Sequence, residues 1–431
     1  MTTANALTES MSGLTATRFR DTALVRAVRL ARDESPFHRW FYGDHAVDVD
    51  SVVDQRSFAL HIPVARKAEY LRYQKLHPGT VRDDVRQLHL TSGTSGVGRE
   101  VHPRTAHDLA ALGTGGAYQY FWAGLAAGEK IMLTIPYSQT MAGPYFQASA
   151  LAAGLVPTNA FTGSTAERID MLQRFGCAGM SITPSYLHRM TAEAKRLGIE
   201  PKRSGSALRA IFLSGEPYGI EWAESMQEFW SATVHEGWGA TQTLGVVMAT
   251  KTGAIEEHGR GVLHGIGHRC LIEVLNPDGV AVAPGERGEI VVTTLRTRGL
   301  PSIRFGMGDS IRLLRDGFFP EFEAGSIGRI DDMIKIRGMN IWPSAVDAAV
   351  LRVPVLDYRA IVHTADNGSE SVDLQLEIDA AADVDPNLMA DIAETIKRTV
   401  GISMSISVLP TGTLDEQHFK SRRWTDRRAV R

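Results

Sequence analysis

The chain has 431 residues, of which 43% are hydrophobic and 22% charged, and its formal net charge is −3. This length exceeds one ordinary hydrophobic core, so two or three domains are expected. The small net charge favours neither nucleic acid nor a membrane as a partner. Two cysteines without a CxxC pattern exclude a disulfide framework and a cysteine-based structural zinc site. The absence of a leader pattern and of a long apolar run predicts a cytoplasmic protein.

Hydrophobic periodicity predicts helices near the amino terminus and an alternation of strands and helices in the middle of the chain. The predicted strands of this middle region are 130–135, one that starts at 154–157, 179–183, 208–213 and 233–235. The predicted helices are 105–121, 144–153, 165–175, 184–197 and 221–230. This order is typical of an α/β fold with a mostly parallel sheet and helices on both faces. Ligands of such folds bind beyond the carboxyl ends of the strands.

The sequence changes character after about residue 245. Glycine and β-branched residues dominate 260–314, with turn patterns at 277–279 and 284–286, which predicts an antiparallel, barrel-like subdomain. A small α+β module follows from about residue 330, with Asn367-Gly368 as a hairpin signal. We therefore predict a large domain over 1–329 and a small domain over 330–431.

One loop concentrates small and hydroxyl-bearing residues directly after a predicted strand that contains Leu88 and Leu90. Its residues are Thr91, Ser92, Gly93, Thr94, Ser95 and Gly96, and the cation Arg99 follows. Backbone N–H groups, hydroxyls and one positive charge together suit a nucleotide phosphate chain. A flexible turn is an equal alternative for a bare Ser/Gly cluster. A Walker ATPase is disfavoured, since Arg99-Glu100 stands where Lys and Ser/Thr are needed.

Four further segments follow predicted strands or lie at the domain boundary, namely 214–217, 236–242, 306–309 and 328–340. Each segment alone is weak evidence for a binding site, because Asp309 is typical of a turn and Trp238 of a hydrophobic core. Together with the loop, in this order, they resemble the adenylate-forming superfamily of acyl- and aryl-CoA synthetases, most closely its phenylacetate–CoA ligase branch. Segments 34–39, 62–67, 288–295, 331–343 and the tail around Lys420 extend the resemblance over nearly the whole chain.

The resemblance implies a nucleotide site built from residues far apart in the sequence. The loop 91–96 would hold the ATP β- and γ-phosphates, with Arg99 where the family often has Lys. Trp238, followed by Gly239 and Ala240, would stack on adenine, and Thr241 would reach the α-phosphate. Asp309 would accept both ribose hydroxyls, which suits an ionised carboxylate. The remaining implied residues are Gly215, Glu216 and Pro217 at the adenine and Arg329 at the ribose or phosphate. The resemblance also implies that the small domain is mobile and rotates about a hinge at Asp331.

Lys420 is the implied catalytic residue, within His418-Phe-Lys-Ser-Arg-Arg-Trp424. An ammonium group beside the carboxylate and the α-phosphate would stabilise charge that develops as the two anions meet. From sequence alone, a cation in a solvated basic tail is the competing interpretation.

Two positions depart from the family pattern. Gln242 stands where the family has a Glu that helps hold Mg²⁺, and a neutral amide oxygen is a poorer ligand for a hard cation. Gly98 stands where Pro is common. The metal ligand is therefore open, with Mg²⁺ held mainly by the ATP phosphates as one possibility.

The acid pocket is expected near residues 136–146. Its candidate residues are Tyr137, Gln139, Thr140, Met141, Gly143 and Trp238. The polar members suit a substituted aromatic or otherwise polar acid, and packing of the domain interior is an equal alternative. No acid or lysine is evident there to pair with a charged substrate group.

The implied activity is ATP-dependent conversion of a small aromatic carboxylic acid to acyl-AMP, followed by thioester formation with coenzyme A. The expected cofactors are ATP, Mg²⁺ and coenzyme A. Transfer to a carrier-protein thiol or an amine remains an alternative, as does a non-catalytic adenylate-binding protein. Neither nucleic acid nor membrane is expected as a partner, and a homodimer is an open possibility.

Overall fold

The computed structural model describes residues 13–91, 98–201, 206–216, 218–251, 261–330, 334–337, 339–341, 343–351, 355–364, 370–379, 387–414 and 423–428.

Helices and strands alternate through the middle of the chain, as predicted. The helices are α1 (Gly13–Glu34), α2 (Pro36–Asp44), α3 (Gln55–His61), α4 (Lys67–Leu76), α5 (Ala106–Ala110), α6 (Ala117–Trp122), α7 (Ala142–Ala152), α8 (Thr165–Arg174), α9 (Pro184–Arg196), α10 (Ile220–Trp230), α11 (Pro343–Val350) and α12 (Leu388–Val400). The strands of the first half are β1 (Val85–Leu90), β2 (Val101–Thr105), β3 (Lys130–Leu133), β4 (Val156–Asn159), β5 (Gly179–Ile182), β6 (Ala210–Leu213), β7 (Thr233–Ala240) and β8 (Gly245–Thr250).

The remaining strands are β9 (Val262–Gly265), β10 (Cys270–Leu275), β11 (Arg287–Thr294), β12 (Phe305–Arg315), β13 (Glu321–Glu323), β14 (Gly328–Arg329), β15 (Ile334–Ile336), β16 (Met339–Ile341), β17 (Val355–Thr364), β18 (Glu370–Ile378), β19 (Ser405–Leu409) and β20 (Trp424–Asp426). The α/β class, the large sheet and the separate C-terminal α+β module that the sequence predicts are confirmed.

Two predicted elements of the middle region differ from the structure by more than two residues at an end. The helix expected over 105–121 is replaced by α5 and α6, with turns between them that contain Gly113. A Cβ at Gly113 would lie 2.1 Å from the carbonyl oxygen of Ala148, so close packing requires a residue that is also a poor helix former. Strand β7 continues to Ala240, through the glycines that favoured a loop after His235.

The contacts divide the chain into two compact units. The first contains the described residues of 1–133, 137–158 and 235–327, and the second contains those of 134–136, 159–234 and 328–431. The predicted small domain thus falls within the second unit, and the boundary between residues 329 and 330 stays a prediction.

The first unit contains the predicted antiparallel region. Strand β11 pairs antiparallel with β10 and β12, and β9 pairs antiparallel with β8 and β13. Strands β7 and β8 form an antiparallel hairpin. One buried apolar cluster of this unit includes Trp238, Met248, Ile290 and Phe322. The strands that carry two predicted site segments, β7 and β12, both contribute to this cluster.

The amino-terminal helices pack on a second cluster of the first unit. Leu24, Val28 and Ala31 follow a helical spacing and are buried on one face of α1. Ser35 ends this helix and caps α2, where Pro36 occupies the first turn and His38 N–H donates to the Ser35 hydroxyl over 3.4 Å. His38 is itself buried, and its Nδ1 lies 2.8 Å from Ser35 Oγ.

Lowering the pH is expected to destabilise the fold partly through His38. Burial lowers the pKa of His38 to about 3, whereas an unfolded histidine has a pKa of about 6.5. Below pH 6.5 the unfolded chain binds a proton that the folded chain does not, so the contribution of neutral His38 is present above that pH and lost as pH falls. The loss is about 1.4 kcal/mol per pH unit.

Urea denaturation at pH 7, 6 and 5 checks this expectation. His38→Gln should reduce the slope of the unfolding free energy against pH by the equivalent of one bound proton. The control His61→Gln, which changes an exposed histidine, should leave that slope unchanged. Parallel pH profiles for wild type and His38→Gln would contradict it. The slope of the unfolding free energy against pH is compared, and not its value, because His38→Gln also changes packing and this shifts the free energy at every pH.

The second unit combines a parallel strand pair with the C-terminal module. Strands β5 and β6 are parallel, and helices α8, α9 and α10 belong to the same unit. In the module, β17 and β18 form the predicted antiparallel pair, while β19 and β20 add in parallel at either side. Helices α11 and α12 contribute Val346, Ile392 and Ile396 to its apolar core. Among the described residues, every helix is too short or too polar to cross a membrane.

Candidate functional site

Two predicted nucleotide-binding residues meet in the first unit. Trp238 lies on β7 and Asp309 on β12, and the indole Nε1–H donates to Asp309 Oδ2 over 3.3 Å. The indole is only 9% exposed and packs within the apolar cluster of β7, β8 and β12, so it is also a core residue. Asp309 is half-buried. Its carboxylate therefore has a fixed neighbour, and stacking of Trp238 on adenine stays a prediction.

Close packing around two glycines shapes the turn after Trp238. A Cβ at Gly239 would lie 2.2 Å from the carbonyl oxygen of Gly245, which is contact with backbone that cannot give way. Gly245 has φ +101°, and a Cβ there would lie 1.9 Å from the buried ring of Tyr145. The turn that presents Thr241 is therefore narrow because both strands carry glycine at its base.

Hydrogen bonds also hold the backbone of this turn. Ala240 N–H donates to Thr243 Oγ1 over 2.9 Å. The guanidinium of Arg104 donates to the carbonyl oxygen of Thr241, and the hydroxyl of Ser302 donates to that of Gln242 over 2.9 Å. Predicted site residues Ala240 and Thr241 thus occupy a turn that is tied to two other parts of the same unit.

The described residues on either side of 92–97 pair with each other. Thr91 N–H donates to the Glu100 carbonyl oxygen over 3.0 Å, and Glu100 N–H donates to Thr91 Oγ1 over 2.9 Å. Arg99 Nη1 donates to Gln139 Oε1 over 2.6 Å, and the Gln139 carbonyl oxygen accepts from Leu90 N–H over 2.9 Å. The segment predicted to line the acid pocket therefore lies against the flank of the predicted phosphate loop.

The other candidates for the acid pocket differ in exposure. Tyr137 is 50% exposed, and its hydroxyl donates to Gln147 Oε1 over 2.5 Å. Thr140 is half-buried and contacts Ser138. Met141 is 2% exposed and Gly143 is buried in the first turn of α7. Met141 and Gly143 thus pack in the interior, and the polar candidates reach solvent.

Strand β2 buries its polar side chains. Glu100 just before it and His102 and Arg104 within it are buried, whereas Val101 and Pro103 are half-buried. Alternate residues of a strand share a face, and buried charged residues are rare unless they are paired. Our sequence interpretation assigned no role to these three residues, although their alternating spacing could have revealed this face.

The carboxylate of Glu100 is the centre of this buried group. Its two oxygens accept from Gln242 Nε2 over 3.1 and 2.9 Å, and Oε2 lies 2.8 Å from His102 Nε2. Lys67 Nζ lies 3.7 Å from Oε1. Burial lowers the pKa of His102 and also lowers that of Arg104, to about 10. His102 is therefore favoured in its neutral form, and Lys67 supplies the positive charge nearest to Glu100.

Three other predicted residues lie in the second unit. Gly215 is exposed with φ +87°, and Glu216 is half-buried. The Glu216 carboxylate accepts from Ser185 N–H over 2.9 Å and from Ser185 Oγ over 3.0 Å, at the start of α9. Arg329 is half-buried on β14. Their implied contacts with a nucleotide stay predictions.

The C-terminal module contains a buried ion cluster around Arg423, near the end of the Lys420 segment. Arg423 is 7% exposed; its Nε donates to Asp357 over 2.7 Å, and its Nη1 lies 3.4 Å from Asp347. Tyr358 OH donates to Asp347 over 2.8 Å. Burial raises the pKa of Asp347 to about 6, against the opposing effect of Arg423. The chain is thus firmly anchored three residues beyond Lys420.

Several predicted site residues lie outside the described residues. They are Ser92, Gly93, Thr94, Ser95, Gly96, Pro217, Asp331 and Lys420. Within the described ranges, no group of three or more His, Cys, Asp and Glu side chains is placed to hold a metal ion.

Comparison with known proteins decides the family. The sequence model of AMP-binding enzymes matches residues 22–296, and that of the AMP-binding enzyme C-terminal domain matches residues 338–428. The chain belongs to the AMP-binding enzyme family. The predicted family is therefore confirmed, and with it the prediction that the chain is an enzyme.

Similar AMP-binding enzymes include several named phenylacetate–coenzyme A ligases. The one from Pseudomonas putida is 27% identical over 80% of this chain and 79% of its own length. The one from Thermus thermophilus is 27% identical over 90% of this chain and 91% of its own. These relatives confirm the resemblance to the phenylacetate–CoA ligase branch.

Solved structures show the same fold. A 2-hydroxyisobutyryl-CoA ligase in its postadenylation state, in complex with 2-HIB-AMP, superposes with a TM-score of 0.83 at 21% identity, covering 95% of this chain and 89% of that one. An anthranilate CoA ligase in complex with anthranoyl-AMP gives a TM-score of 0.58 at 15% identity, covering 79% and 66%.

Proposed function

We propose that this AMP-binding enzyme activates a small carboxylic acid with ATP and transfers the acyl group to coenzyme A. A carboxylate oxygen of the acid attacks the α-phosphorus, and pyrophosphate leaves with the electron pair of the broken P–O bond. The coenzyme A thiol, losing its proton, then attacks the acyl carbon, and AMP leaves. The names of the relatives support this chemistry, since they are coenzyme A ligases.

The observation that carries the proposal is the contact between Trp238 and Asp309. The two residues lie on different strands, and the resemblance assigns them to adenine and ribose, respectively. Their hydrogen bond of 3.3 Å places an aromatic ring and an acceptor-only carboxylate side by side, which is the pairing a nucleoside requires. In this proposal Asp309 accepts the ribose hydroxyls, while Thr241 approaches the α-phosphate from the β7–β8 hairpin that also carries Trp238.

Magnesium would accompany ATP in this site. Among the described residues near Thr241, Gln242 would offer its side-chain oxygen to the metal, because its amide nitrogen is committed to Glu100. This oxygen is a weaker ligand than the carboxylate that the family has at this position. An amide oxygen and phosphate oxygens together form the hard oxygen environment that Mg²⁺ prefers. The metal would neutralise charge on the phosphates.

The proposed acid is aromatic, as in the phenylacetate–CoA ligase relatives. Gln139 contacts Arg99, and Tyr137 and Thr140 add polar groups close to it in the sequence, which suits an aromatic acid with a polar substituent. A carrier-protein thiol is the second candidate acceptor, because one relative, from Pseudomonas fluorescens, is named L-proline–[L-prolyl-carrier protein] ligase, at 29% identity over 36% of this chain.

A pyrophosphate-release screen over aromatic and aliphatic acids tests the proposed function. We expect turnover that depends on both ATP and acid, with aromatic acids giving the highest kcat/KM. Mass spectrometry with coenzyme A, a phosphopantetheinyl carrier or an amine offered separately then identifies the acceptor. ATP binding without turnover on any acid would instead support a non-catalytic adenylate-binding protein.

A further inference from the structure

Glu100 connects two parts of the predicted nucleotide site. Its backbone exchanges two hydrogen bonds with Thr91, on the other side of residues 92–97. Its side chain meets Gln242, the residue after Thr241. One residue therefore spans from the base of the predicted phosphate loop to the turn that is predicted to face the α-phosphate.

The carboxylate fixes the orientation of the Gln242 amide. An ionised carboxylate only accepts hydrogen bonds, so the amide nitrogen must face Glu100 and the amide oxygen must lie on the other side of the amide carbon. The nitrogen donates to both carboxylate oxygens, at 3.1 and 2.9 Å. The amide oxygen is thereby held in one direction, because the Gln242 side chain is half-buried and its amide nitrogen is hydrogen-bonded to Glu100.

The rest of the turn does not depend on Glu100. Arg104 and Ser302 hold the carbonyl oxygens of Thr241 and Gln242, and Thr243 holds the N–H of Ala240. The backbone thus has its own partners, and the contact with Glu100 controls the Gln242 side chain alone. A change at Glu100 should therefore alter that side chain without unfolding the hairpin.

The buried group also supplies partners for the carboxylate of Glu100. The carboxylate is fully buried, with Lys67 at 3.7 Å and His102 at 2.8 Å. A buried carboxylate is tolerated when cations and donors surround it. Glu100 is thus a buried, paired carboxylate in contact with the turn.

We propose that Glu100 is a positioning residue of the nucleotide site, which holds the Gln242 amide so that its oxygen faces bound ATP. This inference rests on the proposed function. It makes the two side chains an acid–amide pair whose members are exchangeable, because an amide at 100 can donate to a carboxylate at 242 as an amide at 242 now donates to a carboxylate at 100.

Three variants of the full chain test the pair: Glu100→Gln, Gln242→Glu and the double variant. Calorimetric ATP binding in the presence of Mg²⁺, kcat and KM for ATP, and the Tm of each protein are measured. Glu100→Gln should weaken ATP binding about 10- to 100-fold, the range typical of a hydrogen bond to a charged group. Gln242→Glu places two carboxylates within about 3 Å and should weaken it at least as much.

The double variant is the decisive measurement. It should bind ATP within about threefold of wild type, since one carboxylate and one amide face each other again. Glu273→Gln is the matched control, because Glu273 is another buried carboxylate with a cation partner, Arg304 at 3.3 Å, outside this group. It should lower the Tm and leave the dissociation constant of ATP unchanged.

Three outcomes overturn the inference. Unchanged ATP affinity in Glu100→Gln, with only the Tm lowered, would show a structural role. A double variant as weak as the worse single variant would show that the two positions do not act as a pair. Absence of ATP binding by wild type would overturn the proposed function itself, and this inference with it, which distinguishes that failure from the first two.

Discussion

Replacing Lys420 by alanine is expected to lower acid-dependent pyrophosphate release about 10²- to 10³-fold, the range typical of a lost electrostatic contact in a transition state. Two anions, the acid and the α-phosphate, must approach each other, and the ammonium group would stabilise the charge that develops between them. Thioester formation from supplied acyl-AMP should be spared, because the phosphate chemistry is then already complete.

The C-terminal module offers a matched control for this variant. Lys397 is an exposed lysine in the last turn of α12, and Lys397→Ala should leave both half-reactions unchanged. The Arg423 cluster should keep the adjacent chain anchored in Lys420→Ala, so an unchanged Tm is also expected. Pyrophosphate release at the wild-type rate would remove Lys420 from the mechanism.

Replacing Asp309 by alanine should raise the KM for ATP about 100-fold. Two ribose hydroxyls would lose an ionised acceptor, and a hydrogen bond to a charged group contributes about 1.5–3 kcal/mol. Asp309→Asn, which keeps the shape and one acceptor oxygen, should fall between wild type and alanine. Steady-state kinetics with ATP as the varied substrate measures the effect.

The indole of Trp238 complicates Asp309→Ala, because its N–H would lose an acceptor in a site that is mostly buried. The Tm therefore accompanies the kinetics. Asp316→Ala changes an exposed carboxylate just after the end of β12 and should alter neither quantity. An unchanged KM in Asp309→Ala, in a protein that remains folded, would mean that the ribose is bound elsewhere.

The regular part of the fold was predictable because its signal is local. Helices such as α8 and α9 carry an apolar stripe, and strands such as β5 and β6 are short buried runs, so a single stretch of sequence is sufficient. The same reasoning failed at glycines, where the bounds of a helix and a strand were mispredicted. Glycine is required at positions 113 and 239 because a Cβ there would lie only 2.1 and 2.2 Å from a backbone oxygen, of Ala148 and of Gly245, respectively. The first of these neighbours is far away in the sequence, and the second lies across a hairpin.

The family pattern, and not the chemistry of single residues, predicted the candidate site, and the roles of its residues stay predictions. Trp238 and Asp309 were identified through the family pattern, and the structure brings them into contact. Glu100 received no role, because its value depends on Gln242, which lies 142 positions away. No spacing rule joins two such residues, whereas the alternation of Glu100, His102 and Arg104 was a local signal of a buried polar face.

The inward polar face of β2 has a consequence for exchanging specificity between related enzymes. A transplant of the glycine-rich loop alone would end at Glu100, whose side chain is already paired with Gln242 and His102 inside this protein. A working chimera should therefore receive all four residues of the buried polar group from the same parent, namely Glu100, His102, Arg104 and Gln242. Libraries that randomise the loop while keeping these four residues constant should yield more folded clones than libraries that vary them independently.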